Sequence, residues 1–271
     1  MDPIVESVEE LVARSPDRNN REIFLAMWSV LSELKERIAQ RFRLELEPSV
    51  RDLSAYGSPD GSTQGHLAAY GGDEIDWMIH SYMGTPEKSF SNMHLTVWLG
   101  PQVRVPHFGM ALGTIPNLFC YLDFIPRVDL MADVEYLDRY YEPLNGLYLA
   151  FEQDPEFRPF VSRSLYMRQA QSRTSLCYST DPHLDRLNKI SKAAHKVLDQ
   201  WFKHLDQAHR VDPKEQAALA ERDLLIRRTI SDRDPANVMG AKIFGQTLTD
   251  RLVGVLWGKG RQLKRAGSWQ Q

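Results

Sequence analysis

The 271-residue chain is 42% hydrophobic and 25% charged, the balance of an ordinary globular protein rather than a disordered or fibrous one. A formal net charge of -3 argues against a dedicated nucleic-acid binder, and no apolar run reaches the roughly 20 residues that a membrane helix needs. The acidic start, MDPIVESVEE, lacks the positive and apolar character of a signal or transit peptide, so a cytoplasmic location is expected.

Residues 21–41 repeat apolar side chains at helical spacing, among them Phe24, Met27, Leu31, Leu34 and Ile38, which predicts an amphipathic N-terminal helix. From 42 to about 127 the pattern changes to short alternating runs. Turn residues separate them at Gly57–Gly61, Gly71-Gly72, Gly84–Pro86, Gly100-Pro101 and Gly113–Pro116. Residues 133–153 read as helix, and two further strands are expected at 162–169 and 173–178. A long helix follows through Leu184, Leu187, Ile190, Val197 and Trp201. Asp212-Pro213 opens another with an N-cap and an N1 proline, and a last helix covers 236–257. Without repeats or a low-complexity linker, the expectation is one domain over 1–271: an N-terminal helix (21–41), a sheet region (42–180), C-terminal helices (183–257) and a basic tail (258–271).

Four histidines punctuate the sheet region, His66, His80, His94 and His107. Their steps of 14, 14 and 13 residues match one strand plus one turn, so each is expected on its own strand. Histidine exchanges protons near neutrality at little cost, and several around one cleft would serve proton delivery; the plain alternative is a strand-end residue without chemistry. Alternation sets Ile75, Trp77 and Ile79 on one face against Glu74, Asp76 and His80 on the other, and Met93, Leu95, Val97 and Leu99 against His94, Thr96 and Trp98. A sheet covered by helices on both sides, with titratable groups on one, predicts a sandwich with an internal cleft. Cys120 and Cys177 both fall in strands and are read as free buried thiols. No spacing indicates a metal site, and no GxGxxG, GxxxxGK[ST] or GxSxG sequence points to a nucleotide, a flavin or a nucleophilic serine.

The stretch MHLTVWLGPQVRVPHFGMAL from Met93, followed by NLFCYLDFIPR, resembles the central strands of the ferredoxin-dependent bilin reductases. LDFIPRVDLMADVEYLDRYYE (122–142), FVSRSLYMRQAQSRTS (160–175) and RRTISDRDPANVMGAKIFG (227–245) are more similar still to the plant branch, the red chlorophyll catabolite reductases. The resemblance spans about residues 40–257. It implies an α/β fold, a three-layer α/β/α sandwich with a central antiparallel sheet. A pocket for an open-chain tetrapyrrole would lie between that sheet and the C-terminal helices. The activity implied is that of a bilin reductase-type oxidoreductase. Single electrons would come from reduced ferredoxin as external donor and protons from side chains, with no bound cofactor or metal.

Carried over residue by residue, His80 matches the proton-donating histidine of the bilin reductases, with His94 as competitor. The aspartate those enzymes place just after Phe-Gly is missing: the stretch here is Phe108-Gly109-Met110-Ala111. Either His107 supplies that proton or an acid from elsewhere does, the candidates being Asp232 and Asp234. Those two also read as an N-capping turn before the last helix. Arg168 and Arg127 are candidates for gripping propionates, which guanidinium groups bind with paired hydrogen bonds, and Asp76 for the polar face. Arg227, Arg228, Lys259, Arg261, Lys264 and Arg265 would form a basic patch to steer an acidic ferredoxin. The assembly is read as a monomer or homodimer. The competing functions are a non-catalytic bilin-binding protein, which the missing aspartate favours, and a reductase of another conjugated substrate on the same scaffold.

Overall fold

The structure, a computed structural model, describes residues 18–261. The first apolar repeat forms α1 (Arg21–Arg41), whose stripe of Met27, Leu31, Leu34 and Ile38 is fully buried. Each such side chain contributes about 1.5–3 kcal/mol by leaving water, so α1 is held by what it covers more than by intrinsic propensity. The sheet region yields β1 (Glu45–Leu46), a 3-10 turn (Pro48–Ser54), β2 (Tyr56–Gly57), β3 (Gln64–Gly71), β4 (Ile75–Gly84), β5 (Ser91–Leu99), β6 (His107–Ile115) and β7 (Asn117–Ile125). After it come α2 (Val134–Tyr140), α3 (Glu142–Glu152), β8 (Arg158–Pro159), α4 (Leu165–Ala170) and β9 (Leu176–Thr180). The chain continues with α5 (Leu184–Asp206), α6 (Pro213–Arg233), α7 (Ala236–Phe244) and α8 (Gln246–Leu256). No helix among the described residues is long and apolar enough to cross a membrane.

All nine strands join one antiparallel sheet in the order β1-β3-β4-β5-β6-β7-β9-β8, with β2 beside β3. One face packs against α1, α2, α3 and α5 through Met93, Leu95, Val97, Phe108, Leu122 and Phe124, among others. The other face lies under the C-terminal helices, where Leu67, Ala69, Trp77, Ile79, Trp98 and Ile125 meet Phe244 of α7 and Leu252 of α8. The three-layer α/β/α architecture with an antiparallel centre is therefore the observed one.

Three expectations change in detail. Residues 162–169 are not a strand: the Ser164 hydroxyl accepts from Met167 N at 3.4 Å and caps the short helix α4, and β9 pairs instead with β7 and the two-residue β8. The helix expected over 133–153 breaks at Tyr141, just ahead of Pro143. The last helix breaks at Gly245, whose φ of +78° is a left-handed value that glycine adopts without strain.

Candidate active site

Each of the four histidines has its own strand, but they divide between the two faces. In the β3–β4 pair, Ala68 faces His80; in the β4–β5 pair, Ser81 faces His94. Side chains alternate along a strand while directly paired residues share a face. His94 therefore lies on the face of Ser81, opposite to that of His80. The expectation that Glu74, Asp76, His80 and His94 share one polar face is corrected accordingly. His80 points at α1 and stacks on the Trp28 indole, ring centroids 4.0 Å apart, with Tyr82 and His66 close by. Burial, with smaller contributions from His66 and Lys35, pushes its pKa down to about 3. Asp76 reaches the C-terminal face only because a bulge between Ile75 and Trp77 shifts the register.

On that C-terminal face the register lays out successive rungs across the sheet. One runs Met83, Asn92, Gly113, Phe119; the next Ser81, His94, Ala111, Tyr121, Cys177; the next Ile79, Thr96, Gly109, Asp123. Along β6, Gly109, Ala111 and Gly113 thus present almost no side chain. At Ala111 and Gly113 this leaves a trough floored by backbone, two strand spacings or about 10 Å wide by strand geometry, whereas at Gly109 the side chains of Ile125 and Tyr121 cover the floor, a Cβ there meeting Ile125 Cδ1 at 3.0 Å. His94 and Thr96 stand on one bank, Tyr121 and Asp123 on the other. His94 and Tyr121 are ringed by protein yet keep accessible surface, as residues lining an inner cleft do. At Gly113 glycine is required by sterics, since a Cβ would come within 2.5 Å of the Ser91 carbonyl.

The trough ends at a wall formed by Trp98 and His107, ring centroids 4.6 Å apart. The Leu99 N–H donates to His107 Nδ1 at 2.9 Å, which leaves the ring proton on Nε2, 3.3 Å from the Asp223 carboxylate. Asp223 in turn accepts from Arg127 Nη2 at 2.6 Å and Nε at 3.1 Å. Although burial works against it, Arg127 and His107 hold Asp223 down at about 2, while burial pushes His107 down to about 4. Next to this group, Arg227 binds Asp76 at 2.6 Å and lies over the Trp98 ring, and Arg261 closes on Asp76 from the C-terminal side at 3.3 Å.

The chemistry of the trough is set by two groups. Burial pushes His94 down to about 4, so its imidazole is neutral at physiological pH. Asp123 behaves in the opposite way. Burial raises its carboxyl to about 7 against the lowering pull of Ser172 and Tyr121, whose N–H and O–H groups it accepts. A carboxyl poised near neutrality in a cleft is suited to acid–base work. The sequence reading missed Asp123. Its signal was the alternation of Phe119, Tyr121 and Asp123 against the buried Leu118, Cys120, Leu122 and Phe124.

The other sequence candidates fall outside the trough. The Arg127 guanidinium is fully buried and committed to Asp223 and to the carbonyls of Gly100 and Val103, so it is a structural clamp and not an open carboxylate grip. Arg168 is an exposed residue of α4 whose Nη1 donates to the carbonyls of Ser162 and Arg163. Asp232 is exposed and pairs with Lys259. Asp234 is half-buried, accepts from Ala236 N at 2.9 Å at the start of α7, and is raised by that burial. In the expected basic patch Arg227 is buried against Asp76, and Lys264 and Arg265 lie outside the described residues.

The chloroplastic red chlorophyll catabolite reductase of Arabidopsis thaliana is 28% identical over 248 residues, covering 84% of this chain and 76% of its own length. The barley enzyme (Hordeum vulgare) of the same description is 26% identical over 195 residues, 66% of this chain and 94% of that one. The crystal structure of phytochromobilin synthase from tomato in complex with biliverdin superposes with a TM-score of 0.73 at 16% identity, over 88% of this chain and 85% of that chain; that likeness shows the fold. The family model for red chlorophyll catabolite reductase matches residues 26–257, and the chain belongs to that family.

Proposed function

We propose that this protein reduces an open-chain tetrapyrrole laid along the trough, with single electrons from reduced ferredoxin and protons from side chains on the banks. One observation carries the reading: a chain of the red chlorophyll catabolite reductase family holds a low floor at Ala111 and Gly113 between His94 and the Tyr121 phenol, which is backed by an Asp123 carboxyl that burial raises to about 7. A flat conjugated molecule needs such a floor. The tomato neighbour of the same fold holds biliverdin. Reducing one double bond consumes two electrons and two protons, so each electron that arrives must be matched by a proton from a positioned acid.

The site divides this work. His94, neutral at physiological pH, orients a pyrrole or lactam through hydrogen bonds and is not the acid. The bank opposite carries the exchangeable proton. The Trp98–His107 wall, with Ile125 in register beside His107, excludes water from one end.

A second reading is a bilin-binding protein without turnover, favoured by the alanine at position 111, directly across from His94. Anaerobic absorption spectroscopy with ferredoxin, its reductase, NADPH and either red chlorophyll catabolite or biliverdin separates the two. Loss of the long-wavelength band, dependent on ferredoxin and on this protein, is the expected result and selects the substrate. A shifted but stable spectrum would establish the binder instead.

A further inference from the structure

A chain of hydrogen bonds leads away from the trough toward the surface. Tyr121 retains accessible surface on the bank, and its hydroxyl donates to Asp123 Oδ2 at 3.2 Å. Asp123 is 2% exposed and out of a substrate's reach. Its two oxygens accept from Ser172 N at 2.8 Å and from Ser172 Oγ. Ser172 is itself buried, and its Oγ lies 3.3 Å from Thr174 Oγ1, a half-buried residue in the turn before β9. Four oxygen-bearing side chains thus connect the outside of the turn with the centre of the sheet.

We propose that Tyr121 is the catalytic residue that hands protons to the bound tetrapyrrole, and that Asp123, Ser172 and Thr174 are the positioning residues that resupply it from solvent. The inference rests on the functional reading above. Once the substrate has taken one electron from ferredoxin, the Tyr121 O–H proton moves to a substrate carbon or oxygen as the Asp123 carboxyl proton moves to the phenol oxygen. Tyr121 is left neutral and Asp123 ionised. Asp123 then regains a proton through the Ser172 and Thr174 hydroxyls before the second electron arrives. The carboxyl behind the phenol is what makes transfer feasible. Burial drives Tyr121 well above its ordinary value, so alone it is a poor acid, whereas Asp123 at about 7 is half protonated at neutral pH.

The test uses the full chain with biliverdin and red chlorophyll catabolite as probes. Wild type, Tyr121→Phe, Asp123→Asn and Asp123→Glu are compared by equilibrium absorption titration and by anaerobic single-turnover reduction across neutral pH. Expected are unchanged affinity, a rate at least ~10²-fold lower in Tyr121→Phe and Asp123→Asn, and partial recovery in Asp123→Glu. The wild-type rate should fall as pH rises past about 7, and that limb should vanish in Asp123→Asn. Wild-type rates in Tyr121→Phe overturn the proposal even if Asp123→Asn is too unstable to assay, and an unaltered pH limb in Asp123→Asn overturns it as well. A wild-type protein that reduces neither probe overturns the functional reading itself, an outcome distinct from active wild type with active variants.

Discussion

His94 on β5 and Ala111 on β6 stand opposite one another in register, on the face covered by the C-terminal helices. Directly paired residues keep their Cβ atoms about 4.5–5.5 Å apart, so whatever occupies position 111 sets the field at the imidazole. Ala111 ends the Phe108–Ala111 stretch that lacks an aspartate, and with no carboxylate opposite it burial holds His94 down at about 4. Ala111→Asp is expected to raise the His94 pKa by about 1–3 units, the effect of one close opposite charge. Histidine proton NMR measures it directly, and a His94 titration unmoved in the variant would refute the pairing as the controlling interaction.

The two faces predict different consequences for the same substitution. His80→Gln removes the ring stacked on Trp28 beneath α1 and is expected to cost stability while leaving tetrapyrrole reduction within a few-fold of wild type. His94→Gln acts on the trough bank and is expected to weaken binding or turnover by roughly 10-fold, the effect of about 1–3 kcal/mol when a buried hydrogen-bond partner is lost. Steady-state assays of both, beside their thermal unfolding, discriminate. Equal activity losses would show that the sheet does not insulate its two sides.

The Arg127–Asp223 pair is buried on both sides and carries His107 with it. Removing one partner leaves an uncompensated buried charge, and Arg127→Met is expected to destabilise by about 3–5 kcal/mol. The double variant Arg127→Met/Asp223→Leu should recover much of that loss, since it leaves no charge stranded. Urea unfolding reads both. An Arg127→Met protein of wild-type stability with weakened bilin affinity would restore Arg127 as a substrate grip.

Burial lowers four histidines, His80 to about 3 and His94, His107 and His204 to about 4. Each is neutral when folded and free to take a proton when unfolded, below the ordinary histidine value near 6.5. Unfolding then absorbs protons, so stability contributed by these groups is present above pH 6.5 and is lost as pH falls toward 4. Asp123 has the opposite sign: its raised carboxyl contributes most below its unfolded value near 3.8 and loses that contribution as pH rises through about 7. The expected result is a melting temperature that drops steadily from pH 6.5 to pH 4, with Asp123→Asn steepening the drop. A melting temperature flat across that range would contradict neutral burial of the histidines.

Much of the fold was legible because its elements announce themselves locally. The stripe of α1 and the Asp212-Pro213 start of α6 are written in neighbouring residues, and Asp212 does accept from Lys214 N at 2.9 Å. The short helix α4 was not legible: Leu165 and Met167 alternate as a strand would, and only the capping by Ser164 decides otherwise. The site was half legible for a related reason. Which residues of one strand share a face is encoded within that strand, but which strands share faces depends on register, and register is set between strands. His80 and His94 look equivalent in the sequence and are separated by the β4–β5 pairing alone. Asp123 was hidden by its apolar neighbours, although its alternation with Tyr121 was there to be read.

The pairing of Ser81 with His94 has a consequence for how this architecture tolerates change. An insertion within the loop 85–90 only lengthens the connection. One extra residue inside β5, by contrast, would turn His94, Thr96 and Trp98 toward α1 and drive Met93, Leu95 and Val97 into the trough, inverting the molecule's greasy and reactive sides together. A lineage of such proteins is therefore free to vary the tip of this hairpin, while the parity of its arms is inherited whole.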